Sequence, residues 1–317
     1  MNAHARPAAW KTLLAFAMVY FVWGSTYFAI RVGVQEAPPF LLAGVRFLIA
    51  GAILFGWMAA SRTPLPSRRE WASAIFLSVL IFVLDYGFVF WAEQRVPSGV
   101  AAVMMATIPV FMAFMEILFL RTQQLTLRLS LALAIGIGGV AVLVSRSAAF
   151  GERPIEISGA AALLIASVSW SVATILTRKL PLPASKPMSS AVQMLAGGAL
   201  LMVVAAVAGE FHGFDVQAVS RGAWLALLYL IFAGSIVAFT AYVWLIHHES
   251  PTKVGTYAYV NPVVAVIIGH FLGGEAVGAR TLLGSLLVLV SVVVITMMPA
   301  RKTQAAWVPS AEQVAGE

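Results

Sequence analysis

Two ionisable side chains stand deep inside apolar segments of this 317-residue chain, Arg46 within PPFLLAGVRFLIAG (38–51) and Asp85 within LIFVLDYGFVF (80–90). A guanidinium forks onto a carboxylate through paired hydrogen bonds and a carboxylate attracts an ammonium, so the two suit opposite ends of a zwitterion. Each costs roughly 3 kcal/mol or more if left unpaired in hydrocarbon, which makes it a functional candidate by default. The competing structural reading has Arg46 snorkelling outward along its stem and Asp85 losing its charge on burial.

Other polar groups share this depth. Trp23 and Trp170 fall near mid-segment, away from the interfaces where Trp gathers; each offers an indole N–H and a stacking face, with plain helix packing as the alternative. Pro109 and Pro262 each remove an amide and free a carbonyl, that of Met105 and that of Ala258, so both are expected to bend their helices and act as hinges beside a wet site. Thr107 and Asn261 stand next to them and add hydrogen-bonding capacity. Glu116 and His270 lie towards helix ends and are candidates for a gate or proton carrier, with snorkelling or a nearby Arg as the alternative. His247 and His248 are adjacent on a helix and do not share a face, so they make no metal site.

The elements that must position these residues are apolar spans. With 61% hydrophobic and 10% charged residues, a water-soluble fold would be covered in apolar surface. A span needs about 20 residues, and segments fit near 11–32, 39–61, 70–92, 98–120, 126–145, 157–178, 186–208, 221–245, 252–273 and 279–298. The fold class expected is all-α, a polytopic membrane protein of ten transmembrane helices. The first segment carries no small-residue cleavage site and is expected to stay as a helix. At 1.5 Å per residue Arg46 lies roughly 10 Å below one face and Asp85 roughly 5 Å from the midplane on the same side, so a pair between consecutive helices is expected.

The first five segments recur in the last five. At an offset of 147, Trp23 falls on Trp170, Arg31 on Arg178, Arg46 on Gln193 and Gly51 on Gly198; later Pro97 answers Pro251 and Pro109 answers Pro262. Asp85 falls approximately on Thr240. Five crossings per copy turn the second copy over, which is the signature of an inverted-repeat transporter with a midplane site. The units expected are 1–150 and 151–317, the second ending in a short cytoplasmic tail.

Charge gives the orientation. With the N-terminus inside, the inner segments hold 13 Lys and Arg and the outer ones 6, which places both termini in the cytoplasm of an inner or plasma membrane. The net charge of +7 is thereby assigned to topology, and no nucleic-acid partner is expected. Cysteine is absent, as are GxxxxGK[ST], HExxH and GxSxG, so no ATP-driven step, no enzyme activity, no metal and no cofactor are expected.

The runs WGSTYFAIRVG (23–33), PPFLLAGVRFLIAG (38–51), VPSGVAAVMMATIPVF (96–111) and SPTKVGTYAYVNPVVAVIIGHFLGGE (250–275) resemble the drug/metabolite transporter superfamily, specifically its ten-helix EamA-type exporters. The resemblance covers residues 12 to 298. It implies a basket of helices 1 to 4 and 6 to 9 around a central cavity, with helices 5 and 10 outside, and efflux of small metabolites such as amino acids. One departure stands out: the acidic residue after the proline helix is present in the second half as Glu275, whereas Thr122 takes that place in the first. The expected function is alternating-access export of small organic metabolites, amino acids above all, with Trp23, Arg46, Asp85, Thr107, Trp170, Gln193 and Asn261 at the substrate. The alternative is a proton-coupled antiporter of cationic drugs, which an Asp85 not paired with Arg46 would favour. Lipid and small solutes are the partners expected.

Overall fold

The computed structural model describes residues 9–115, 117, 125–145, 155–177, 179–248 and 256–297, and among them there is no strand. The helices are α1 (Ala9–Val34), α2 (Pro39–Ala60), α3 (Arg68–Glu93), α4 (Ser98–Met115), α5 (Leu127–Val144), α6 (Ile157–Thr177), α7 (Lys186–Val207), α8 (Arg221–Tyr242, running on to His248), α9 (Tyr257–Gly273) and α10 (Ala279–Thr296). All but α9, whose described part is shorter, are long and apolar enough to cross a bilayer.

Local sequence sets the ends. Pro39 opens α2 at its first turn, where an amide would lack a partner anyway. Ser67 and Glu70 close a reciprocal capping box at the start of α3, and Thr126, Ser185 and Ser220 cap α5, α7 and α8. Gly274 ends α9 in the left-handed region at φ 63°.

Lipid tails are as apolar as leucine, so close backbone approach rather than hydrophobicity drives these helices together. The most extensively packed pair is α2 with α7. A Cβ on Gly198 would stand 2.6 Å from the Leu48 amide nitrogen, and one on Gly51 2.8 Å from that of Leu195, so the repeat-related glycines make one reciprocal crossing. The contact is with backbone, which cannot swing away. Gly198→Ala is therefore expected to lower stability by about 1–3 kcal/mol, read as a lower melting temperature of the purified protein in detergent. The peripheral pair α5 and α10 is built the same way, with Gly139 and Gly284 against each other's backbone.

Among the described residues, π-helical stretches run over Met18–Val22 in α1, Val79–Gly87 in α3 and Leu230–Val237 in α8. The last two are repeat counterparts. Aligning their C-terminal ends sets Asp85 against Ser235, not against Thr240, which is exposed and bonds only its own helix at Ile236. Wide turns of this kind leave backbone groups for other partners and frequently mark functional sites.

The face opposite the start of α1 and the end of α10, here the distal face, carries the 1–2, 3–4, 7–8 and 9–10 connections. Carboxylates from each half cap helices of the other there. Glu210 accepts from the Phe40 and Leu41 amides at the start of α2, at 3.3 and 2.7 Å. Glu36 accepts from the Ser220 amide and hydroxyl at the start of α8, at 2.6 and 2.7 Å. Those bonds hold the Glu36 carboxyl below its ordinary range, whereas burial outweighs the amide bonds and pushes Glu210 up. The Glu36 clamp is accordingly complete at neutral pH and is lost only as pH falls through its lowered titration range.

Candidate functional site

A central cavity of about 280 Å³ lies between the halves. Its lining comes from α1, α2, α3, α4, α6, α7, α8 and α9 and from neither α5 nor α10. That is the basket the resemblance implies. Small-molecule sites span about 300–1,000 Å³, so the volume suits a solute of metabolite size.

Arg46 enters from α2 and is only 3% exposed. Its Nε donates to Ser235 Oγ at 3.0 Å, and Ser235 Oγ in turn donates to the Leu230 carbonyl at 3.0 Å inside the π-helical stretch of α8. The guanidinium also faces the rings of Phe47, Tyr86 and Phe90 at 4.7, 5.5 and 5.8 Å. Its Nη1 makes no hydrogen bond. Arg46 is thus held by an aromatic collar and one serine, with donor capacity left over.

Asp85 comes from the π-helical stretch of α3 and is 2% exposed; its Oδ1 has no hydrogen-bond partner. The ion pair expected between Arg46 and Asp85 does not form, because Arg46 turns to α8. Both nevertheless line the same cavity. The snorkelling alternative fails as well, since the guanidinium stays buried.

Across the cavity Asn261 of α9 leaves its Oδ1 without a partner. Trp23 donates its indole N–H to the Gly234 carbonyl at 3.1 Å, which ties α1 to α8, and its ring packs against Tyr242 and Tyr257 at 5.2 and 5.4 Å. Trp170 meets Tyr86 edge to face at 6.1 Å. Gln193 lines the cavity while its amide donates back to Ser189. The cavity is therefore an aromatic box with a cation, a carboxylate and two amides on its walls.

Several sequence expectations need correction. Thr107 is buried away from the cavity and donates to the Met104 carbonyl at 2.6 Å, in the break that divides α4 at residues 106–107. His270 stands where depth counting puts it, exposed towards the distal end of α9, with Nδ1 2.9 Å from the Glu275 carbonyl. The two prolines differ: α4 is interrupted just before Pro109, whereas α9 runs on through Pro262. Carbonyls beside the α4 break are met from α6, Ile108 by Ser171 at 3.2 Å and Met104 by Ser167 at 3.4 Å, as exposure of backbone at membrane depth requires. Glu116, Thr122, Arg178 and Pro251 lie outside the described residues.

Residues 10–145 and again 157–297 match the EamA-like transporter family. The chain belongs to that family. Among EamA-like relatives, the inner membrane transporter YedA of Escherichia coli strain K12 is 38% identical over 286 residues, covering 89% of this chain and 90% of YedA. The transporter YoaV of Bacillus subtilis is 24% identical over 305 residues, 92% of this chain and 99% of YoaV. One solved protein crystal structure shares the fold with a TM-score of 0.61 at 21% identity, covering 93% of this chain and 100% of its own. The protein is thus an EamA-type membrane transporter.

Aromatic and hydroxyl groups that sequence reading passed over complete the EamA-type cavity, chiefly Tyr86, Tyr242, Tyr257 and Ser235. Tyr242 and Tyr257 stand towards the ends of the spans 221–245 and 252–273, where an aromatic ring reads as an interfacial anchor, and a lone serine such as Ser235 gives no depth signal.

Proposed function

We propose that the protein exports small zwitterionic metabolites, amino acids with broad specificity, across the bacterial inner membrane by alternating access, with both termini in the cytoplasm. The observation that carries this reading is the separation of charge in one cavity. Because Arg46 and Asp85 do not neutralise each other, the guanidinium is available to a carboxylate and the Asp85 carboxylate to an ammonium. Aromatic walls accept varied side chains without demanding a particular one. The 13 to 6 charge bias supports the orientation, and the likeness to the inner membrane transporter YedA supports the membrane.

The same separation favours a second reading, in which Asp85 alone binds organic cations and protons and Arg46 is a structural post on Ser235. Counterflow in proteoliposomes with amino acids, nucleobases and cationic dyes separates the two. Exchange of amino acids is the expected result; exchange of dyes alone, driven by a pH gradient, would establish the antiporter.

Alternating access also assigns different weights to the prolines. Pro109→Ala restores a donor to the Met105 carbonyl and should rejoin the interrupted α4, slowing transport about tenfold or more at normal expression. Pro262→Ala acts on a helix that is already continuous and should change transport by less. Equal effects, or none, would remove the hinge from α4.

A further inference from the structure

Glu93 closes α3 one helical turn beyond Val89, which lines the cavity, and is not itself among the lining residues. It is 0% exposed, and neither carboxylate oxygen has a hydrogen-bond partner. The side chain therefore belongs to the roof between the cavity and the distal face.

The charged and titratable groups facing it are Tyr27 and Arg31 from α1, Arg46 from α2 and Glu275 from the α9–α10 turn. Neither cation forms an ion pair or side-chain hydrogen bond with the Glu93 carboxylate. Arg31 Nη1 donates to the backbone carbonyls of Glu93 and Val96 at 2.6 and 2.8 Å, and its Nε lies 3.4 Å from Glu275 Oε1. Glu275 spends both oxygens on the start of α4, accepting from the Ser98 and Gly99 amides at 2.8 and 3.1 Å. Arg46 is bound to Ser235. The seal across the distal face thus joins Arg31 to Glu275 and leaves the Glu93 carboxylate fully buried without a hydrogen-bond partner, near a second carboxylate and attracted by Arg31 and Arg46 only through space.

An ionised carboxylate removed from water with no hydrogen bond and a like charge nearby is far costlier than the neutral acid, and such groups take a proton instead of bearing that cost. Opening the roof readmits water and removes the reason for the proton. We propose that Glu93 is the proton-binding site of an outer gate: it holds a proton while the distal face is sealed and returns it to the outer water when that face opens. The proton enters from and leaves to the same side, so the site sets how often the gate opens without moving charge across the membrane. This inference rests on the alternating-access reading and its orientation.

The chain has no cysteine, so Ile30→Cys supplies a single thiol beneath the roof, at a cavity-lining position 2% exposed. Its reaction with a membrane-impermeant methanethiosulfonate added outside intact cells reports opening. Gln217→Cys, exposed on the α7–α8 connection, corrects for the reagent's own pH dependence. The normalised rate should climb as external pH is raised from about 5 to about 9, by up to about tenfold per unit, the limit for one linked proton. Glu93→Gln and Glu93→Met, both neutral, should stay at the slow acid value throughout. A flat profile without the Glu93 substitution would overturn the proposal, as would a pH response kept in both variants. Failure of both variants to reach the membrane would overturn it too, because an unpartnered neutral acid tolerates a neutral replacement. An unreactive Gln217→Cys would show that the gate is not on the outside. Amino-acid counterflow that persists beside a flat labelling profile would remove the gate and leave the proposed function standing.

Discussion

Arg46→Ala should reduce amino-acid counterflow at subsaturating substrate by about ten- to hundredfold, the equivalent of one lost charge-assisted hydrogen bond at about 1.5–3 kcal/mol. Asp85→Asn keeps the shape of the side chain and removes its charge, and should cost a comparable factor by weakening the hold on the ammonium. The two effects fall on opposite ends of the solute, so they separate with analogues. A substrate lacking its ammonium should be insensitive to Asp85→Asn, and one lacking its carboxylate insensitive to Arg46→Ala. Folding has to be checked beside flux, because Arg46 also carries the bond to Ser235 that fastens α2 to α8. Arg46→Met with Asp85→Leu serves that purpose: apolar replacement of buried charges is often tolerated, so the double variant should reach the membrane at normal thermal stability yet fail to transport. Amino-acid flux restored in the double variant would remove both residues from the substrate. Dye export lost with Asp85→Asn alone, while amino acids never exchange, would establish the cation antiporter.

Height along the membrane is legible in the sequence and direction around each helix is not. The spans follow from apolar length, and the repeat from Trp, Arg and Pro in matching order, because hydrocarbon thickness admits few alternatives. Depth counting likewise brings Trp23, Arg46, Asp85, Trp170, Gln193 and Asn261 to one cavity. The count fails where azimuth decides. A π turn adds a residue and rotates the remainder of its helix by about 100°, and no residue pattern announces the stretches at Val79–Gly87 and Leu230–Val237. Without them, depth alone sets Asp85 against Arg46 and Thr240 against Asp85, whereas the bundle brings Ser235 to Arg46. Thr107 fails for a related reason: a hydroxyl beside a freed carbonyl satisfies its own backbone first, here that of Met104. Glu93 escapes notice because a glutamate at a helix end reads as solvated, and only packing shows it buried.

Glu275→Ala should unlatch the distal face. In one substitution it removes the partner of Arg31 and strips the Ser98 and Gly99 amides of their acceptors at the positive end of α4. Breaking a largely buried pair from one side costs about 3–5 kcal/mol, and here that cost falls on the sealed state, because an open distal face would let water reach the same groups. The expected result is a shift towards outward access: the Ile30→Cys thiol should react from outside at least tenfold faster, with expression close to normal. The companion changes Gly269→Ala and Gly273→Ala test whether close packing is part of the latch, since a Cβ at Gly269 would stand 2.5 Å from Glu275 Oε2 and one at Gly273 2.8 Å from the Phe28 ring. Both should weaken the seal in the same direction and by less. The corresponding position of the first half, Thr122, carries no charge, so the Glu275 carboxylate has no counterpart at that place in the other repeat. If Glu275→Ala left labelling unchanged while lowering the melting temperature, the contact would be a helix cap that stabilises every access state equally, and the asymmetry between Glu275 and Thr122 would carry no bias between them. If instead labelling rises, Glu275→Gln should recover only part of the seal, because an amide oxygen still accepts from the α4 amides but no longer attracts Arg31.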